Sequence, residues 1–282
     1  MPTGFLVNGK VYRNASLRSI RGIDLEVMND MAAVSLPSER ITDLLIHCLT
    51  NLGPKATVTK HDVRSLIVGD RDALLLHLRR LTLGNKILSV VTCPRKTCQE
   101  KMDLDFSISD ILQDENNNAR PFHDIVVQHY SDIYRVRFRL PTGADQDIIG
   151  RVALRDPKAA SELLVRRCIH EIWNHNAKIE FENTLPKILI DSLSQRMAEL
   201  DPQAEILFNL ICPSCNKNFI IYFDIGYYFF KELLANSQEL YREIHILAQH
   251  YHWSEKDILN FSCAKRRMYL EFLADAMIVG GH

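Results

Sequence analysis

Apolar positions in this chain follow two spacings, and the spacing changes several times along its length. From Phe5 to Tyr12 they flank Asn8-Gly9, a pair suited to the left-handed positions of a type I′ turn, so a small hairpin is expected. Leu44, Leu45, Cys48 and Leu49 fall on one face at helical spacing, which predicts a helix over 38–51 stopped by Gly53. Thr59 with Asp62 three positions on is a capping start for a short helix, with Asp where Glu is usual. Asp70 is expected to cap a helix through Thr82, ended by Gly84. That helix buries Leu74, Leu75, Leu78 and Leu81, and turns Arg71, Arg79 and Arg80 to solvent or a partner.

Asp114 to Pro121 is polar, rich in turn formers, and the best linker in the chain. Beyond it the pattern starts again. Ile125–Gln128 and Tyr134–Leu140 alternate like a hairpin. Gly143-Ala144-Asp145 resembles Gly22-Ile23-Asp24 at an offset of 121 positions (143 − 22). Leu164 to Cys168 resembles Leu44 to Cys48 at an offset of 120 (168 − 48), and Phe223 follows Phe106 at 117 (223 − 106). The reading is a tandem duplication. Pro186 suits the first turn of a helix to Leu200, and Pro202 can start the next. Tyr227–Ala235 and Gln238–Tyr251 read as two helices dense in aromatics; Ser254 caps a short helix and Ser262 a last one reaching Ala276.

The expected organisation is an N-terminal hairpin segment (1–19), a first repeat (20–113), the linker (114–121), a second repeat (122–226) and a C-terminal helical region (227–282) without counterpart in the first half. The fold class is α+β, mainly α-helical: two helix-plus-hairpin repeats joined by a split zinc-ribbon-like site.

Composition narrows the function. The chain has 282 residues, 46% of them hydrophobic, enough for a real core, and a net charge of −1. That balance gives no pull towards nucleic acid or an anionic membrane. Met1 to Lys10 lacks a basic region followed by an apolar stretch. Phe219 to Phe230 is too short to span a bilayer and contains Asp224. A soluble protein of a reducing cytoplasm is expected, and seven cysteines do not read as a disulfide framework.

Four of those cysteines stand in two similar settings: Val91-Thr92-Cys93-Pro94-Arg95-Lys96-Thr97-Cys98 and Leu210-Ile211-Cys212-Pro213-Ser214-Cys215. Each is an apolar run, then Cys-Pro, a tight turn and a second cysteine, followed by another strand-like run. A hairpin tip carrying two thiolates is half of a tetrahedral zinc site. Related halves packed about a pseudo-twofold axis bring Cys93, Cys98, Cys212 and Cys215 to one structural Zn2+. The alternative is two hairpins whose reduced cysteines are simply buried. Cys48 and Cys168 read as core residues.

Catalytic motifs do not form. His170-Glu171-Ile172-Trp173-Asn174-His175 has three residues between His-Glu and the second histidine; on a helix the two rings stand about 140° apart and cannot share a zinc. His245, His250 and His252 crowd beside Trp253, where core or surface roles are commoner than metal binding. No phosphate loop and no nucleophile elbow is present, so no catalytic residue is assigned.

Val63 to Leu76, continuing through Leu78-Arg79-Arg80-Leu81-Thr82-Leu83-Gly84, resembles the T4-like baseplate hub assembly chaperone family of contractile phage tails and phage-derived injection systems. Cys93-Pro94, Met102-Asp103-Leu104, Phe138 to Asp145, Tyr241 to His245 and His250 to Glu255 fit the same family. The likeness runs from about residue 36 onward. It implies a non-enzymatic assembly factor that binds hub, spike or tape-measure proteins, with no active residues to carry over. Alternatives are a permanent baseplate subunit and a zinc-ribbon nucleic-acid binder; near-neutral charge and the lack of a basic, aromatic-interleaved strand face disfavour the last. Tyr227 to Tyr269 carries nine aromatic rings, with Trp253 among them and Lys265, Arg266 and Arg267 as a charged rim. Either packing on the repeats hides these rings, or they form a partner surface.

Overall fold

Asn8 and Gly9 both take positive φ, 50° and 77°, and the turn they make joins β1 (Phe5–Val7) to β2 (Lys10–Tyr12). The computed structural model describes residues 1–31, 35–116, 119–175, 177–179 and 185–279. After β3 (Ala15–Leu17) come α1 (Gly22–Met31) and α2 (Pro37–Cys48). The helix expected to reach residue 51 ends at Cys48, because Leu49 turns extended and β4 (Leu49–Leu52) pairs antiparallel with β3. Next is α3 (Lys60–Ser65), where Thr59 and Asp62 cap each other reciprocally.

The following helix, α4 (Val68–Leu83), departs from the expected arrangement in three ways. It begins at Val68, and the Asp70 carboxylate instead accepts the N–H groups of Thr3 (3.0 Å) and Gly4 (2.8 Å), tying down the N-terminal hairpin. Leu81 is 54% exposed. Arg71 and Arg79 are buried: Arg71 donates to the Ser38 carbonyl and Thr42 Oγ1, and Arg79 to Glu232 and the Gly84 carbonyl. A guanidinium tolerates burial when carbonyls and carboxylates take its N–H groups. Gly84, at φ 94°, ends the helix as expected.

The hairpin of β5 (Lys86–Thr92) and β6 (Lys101–Ser107) follows, then α5 (Ile108–Ile111). The expected linker is partly held, since Asn116 donates to the Pro2 carbonyl and accepts from Arg13; Asn117 and Asn118 lie outside the described residues. Then come β7 (His123–His129), β8 (Asp132–Phe138), α6 (Gly143–Ala153), α7 (Pro157–Cys168), β9 (Ile169–Asn174) and β10 (Ala177–Lys178). The four strands form an antiparallel sheet in the order β10-β9-β8-β7. His170 is therefore on a strand, not a helix, and His175 follows at a turn with φ 51°.

The chain ends with α8 (Lys187–Leu200), a short 3-10 turn, the hairpin β11 (Leu207–Ile211) and β12 (Asn218–Tyr222), α9 (Ile225–Tyr251), α10 (Glu255–Leu259) and α11 (Cys263–Val279). Where two helices were expected over 227–251 there is one. Asn236 and Ser237 bond back to the carbonyls of Glu232 and Leu234, so these polar residues do not break the helix. Glu232 and Glu243 of α9 hold Arg79 of α4 and Arg266 of α11. The fold is α+β, with small antiparallel sheets. One core joins α1, α2, α4 and α9; the other lies between the four-stranded sheet, α7 and α8.

The two halves share contacts as well as order. Arg18 grips Asp24 with two N–H groups at 2.6 and 2.8 Å, and Arg139 grips Asp145 at 2.6 and 2.9 Å. The backbone N–H of Arg18 reaches the Cys48 carbonyl at 2.9 Å, and that of Arg139 reaches the Cys168 carbonyl at 2.9 Å. Both α2 and α7 begin with proline and end in a fully buried cysteine.

A second correspondence was not expected. The Gly143 N–H at the start of α6 meets the Leu66 carbonyl just before α4, and the Gly22 N–H at the start of α1 meets the Phe261 carbonyl just before α11. Thr59 caps α3 as Ser254 caps α10. Arg71 and Arg266 occupy the same place in α4 and α11, and both are buried. Thus α10 and α11 share with α3 and α4 the cap position, the backbone contact and the buried arginine.

Candidate metal centre and flanking surfaces

Both cysteine hairpins turn by the same backbone device. In the first, the Cys93 N–H reaches the Glu100 carbonyl and the Cys98 N–H reaches the Arg95 carbonyl, with Gln99 at φ 51°. In the second, the Cys212 N–H reaches the Lys217 carbonyl and the Asn216 N–H reaches the Cys212 carbonyl, with Asn216 at φ 52°. A left-handed residue directly after the second cysteine bends each tip back on itself, so both thiols of a hairpin face the same way.

The two tips face each other. Cys93 Sγ lies 3.9 Å from Cys215 Sγ, and Cys98 Sγ lies 3.7 Å from Cys212 Sγ. All four sulfurs lie within 4.8 Å of one another. A tetrahedral site with metal–sulfur bonds of about 2.3 Å has sulfur–sulfur edges of about 3.8 Å, so this arrangement is compatible with a metal. Cys93 and Cys212 are buried, while Cys98 and Cys215 are partly exposed. The Lys217 backbone N–H, with hydrogen bonds from the other thiols, brings the Cys215 thiol down to about 7. Cys93 takes the Arg95 backbone N–H, but burial and the three crowding thiols push it up to about 11.

Behind the sulfurs the hairpins are joined by aromatic packing. Phe106 and Phe223 meet at 5.2 Å, and Phe208 packs against both, at 4.7 and 6.2 Å. Alternation along the strands puts these rings inside and leaves Leu88, Val90, Ile211 and Ile220 on outward faces.

Cys48 and Cys168 belong to the two cores, and burial pushes both thiols up to about 12. At the C-terminal end, Trp253 is partly buried: it stacks on Tyr251 at 4.5 Å and meets Tyr269 and Phe261 edge-on. Lys265 is exposed and lies over the Phe261 ring, and Arg267 is exposed. Arg266 is not a rim residue. It is 2% exposed and donates to Glu243 and the Phe261 carbonyl, because its place on α11 faces α9. Sequence reasoning did not single out Asp201, and it placed Arg71, Arg79 and Arg266 at the surface where the structure buries them; the clue available for Arg71 and Arg79 was their place among the leucines of α4.

Over residues 25–230 the sequence matches the family described as T4 bacteriophage base plate protein. The chain belongs to that family. No curated protein and no solved structure matches it significantly. The base plate match takes in both cysteine hairpins and all four clustered thiols; α10 and α11, with Trp253, Lys265 and Arg267, lie beyond it. No helix among the described residues is long and apolar enough to cross a membrane.

Proposed function

We propose that this base plate protein is a non-enzymatic assembly factor for the hub of a contractile phage tail or phage-like injection system. It acts in the cytoplasm of the producing cell by binding hub, spike or tape-measure proteins. The observation that carries this reading is the family match across 25–230. Cys93, Cys98, Cys212 and Cys215 hold a structural Zn2+, a role supported by the 3.7 and 3.9 Å sulfur contacts. Four thiolates leave no open coordination position, so the metal staples two hairpins and activates no water. The paired Arg18–Asp24 and Arg139–Asp145 grips support descent by duplication.

A second reading, a permanent base plate subunit, is favoured by the family description itself. The test is quantitative mass spectrometry of purified mature particles beside cells producing them. An assembly factor is abundant in the cells, absent from finished particles, and required for hub incorporation. Stoichiometric presence in the particle selects the subunit reading.

A further inference from the structure

Between α4, α6, α8 and the second cysteine hairpin lies an open groove of about 440 Å³. Val68, Pro141, Ile149, Leu164 and Met197 give it apolar walls. Its charged lining is acidic: Asp201 and Glu205 line it, and among the described lining residues there is no lysine or arginine. Tyr222, 55% exposed, also lines it. Beyond Tyr222 the groove opens onto the outward face of the hairpin, where Leu207, Ile211 and Ile220 are 51, 64 and 65% exposed.

Asp201 is unusually placed. It is 3% exposed and sits just past the C-terminus of α8, where the helix dipole opposes a negative charge. Its carboxylate accepts the Gly69 N–H at 2.9 Å. Burial, with the Asp70 carboxylate nearby, pushes it up to about 7. Burial, then the charges of Asp72, Asp224 and Glu205, also raise the Tyr222 hydroxyl at the mouth. A carboxylate as buried as Asp201 is stabilised most by a cation that completes its hydrogen bonding. The groove is too open along the hairpin to enclose a small molecule, which buries most of its surface when bound. Its continuity with an exposed apolar strand face suits a peptide.

We propose that this groove docks a segment of a partner protein in which one lysine or arginine stands between apolar side chains. The cation lies over Asp201 and Glu205; the apolar groups pack on Ile149, Leu164 and Met197 and run out over Leu207 and Ile220. This rests on the hub-binding reading above and names the site and the chemistry of the segment.

The experiment uses the full-length protein and fluorescent 15-residue peptides tiling the hub, spike and tape-measure proteins encoded with it. The peptides that bind are expected to carry a Lys or Arg flanked by apolar residues. Replacing that cation with Gln, or combining Asp201→Asn with Glu205→Gln, weakens binding at least tenfold. Gln146→Trp, which fills the groove, does the same, while thermal melts confirm that the variants fold. Peptides that bind all variants equally overturn the proposal. So does the case in which no peptide binds but the intact hub proteins are captured, and there the hub-binding reading survives. Failure of the intact proteins as well removes both.

Discussion

Phe106 and Phe223 meet edge to face, 5.2 Å between ring centroids, at the seam of the two cysteine hairpins. Phe106 lies near the end of β6 and Phe223 directly follows β12, so this contact joins equivalent places in the two hairpins, whereas the sulfurs pair crosswise, Cys93 with Cys215 and Cys98 with Cys212. The seam therefore has an aromatic half and a thiol half, and the thiol half is the part a metal would hold. Freshly purified, reduced protein should contain one zinc per chain. Cobalt substitution should give the intense absorption of a tetrahedral tetrathiolate. Cys212→Ser should lower the melting temperature of the whole chain, because ligand binding adds directly to folding stability and both hairpins pack on shared core. Elemental analysis finding no metal would dismiss the centre.

The two bidentate grips give a pH prediction. Burial alone would raise the Asp145 carboxyl, yet hydrogen bonds from Arg139 and Thr142, with the Arg139 charge, hold it down at about 2. In the unfolded chain it titrates near 4. The sign follows: stability from this group is fully present above about 4 and is lost as pH falls towards 2. Asp145→Asn should cost about 3 kcal/mol at pH 7, the low end for a broken buried pair because Arg139 keeps a 32% exposed side chain. The same substitution should flatten the acid limb of the stability curve between pH 4 and 2. Urea titrations at pH 2.5, 4 and 7 measure both.

Much of this frame was legible in sequence, and the reasons are local. The Asn8-Gly9 turn, the Thr59–Asp62 cap and the Gly84 stop each depend on residues within a few positions of one another. The clustering of the four thiols followed from treating the halves as related. The exposure of Arg71 and Arg79 was misread because their fate depends on distant groups: Ser38 and Thr42 for one, Glu232 for the other. The likeness of α10–α11 to α3–α4 was hidden because few residues are shared. Ser254, Asp257 and Arg266 keep the positions of Thr59, Asp62 and Arg71, while the apolar residues between them change.

Two glycines that look alike in sequence should behave in opposite ways. At Gly143 an added Cβ would overlap Arg71 Nη1, and Arg71 cannot withdraw without leaving the Ser38 carbonyl and Thr42. Gly143→Ala should cost more than about 2 kcal/mol, the range for forced overpacking. At Gly150, inside the same helix, the nearest atom to a Cβ is Leu36 Cδ1 at 3.6 Å, an ordinary contact. Gly150→Ala should therefore stabilise by up to about 1 kcal/mol through helix propensity. Chemical denaturation of the pair checks the buried-arginine geometry, and equal effects at both sites would refute it.

Asp201 should carry a measurable cost to the fold. Its carboxyl is pushed up to about 7, first by burial and then by Asp70, against a pull from the Gly69 N–H. The unfolded value is near 4, so here the folded chain holds the proton more tightly. Stability attributable to this group is therefore greatest below about 4, falls as pH rises, and is lowest above about 7; every tenfold gain in proton affinity on folding corresponds to about 1.4 kcal/mol. Asp201→Asn keeps an oxygen that can accept the Gly69 N–H and removes the buried charge. The variant should match the wild type near pH 4 and exceed it at pH 8 in urea midpoint, so the two curves diverge with rising pH. A variant weaker at every pH would mean that the ionised cap on α4 outweighs its burial. Stabilisation on removing the charge is the pattern of a residue kept for binding at the expense of stability, and it would tie the acidic floor of the groove to a basic partner.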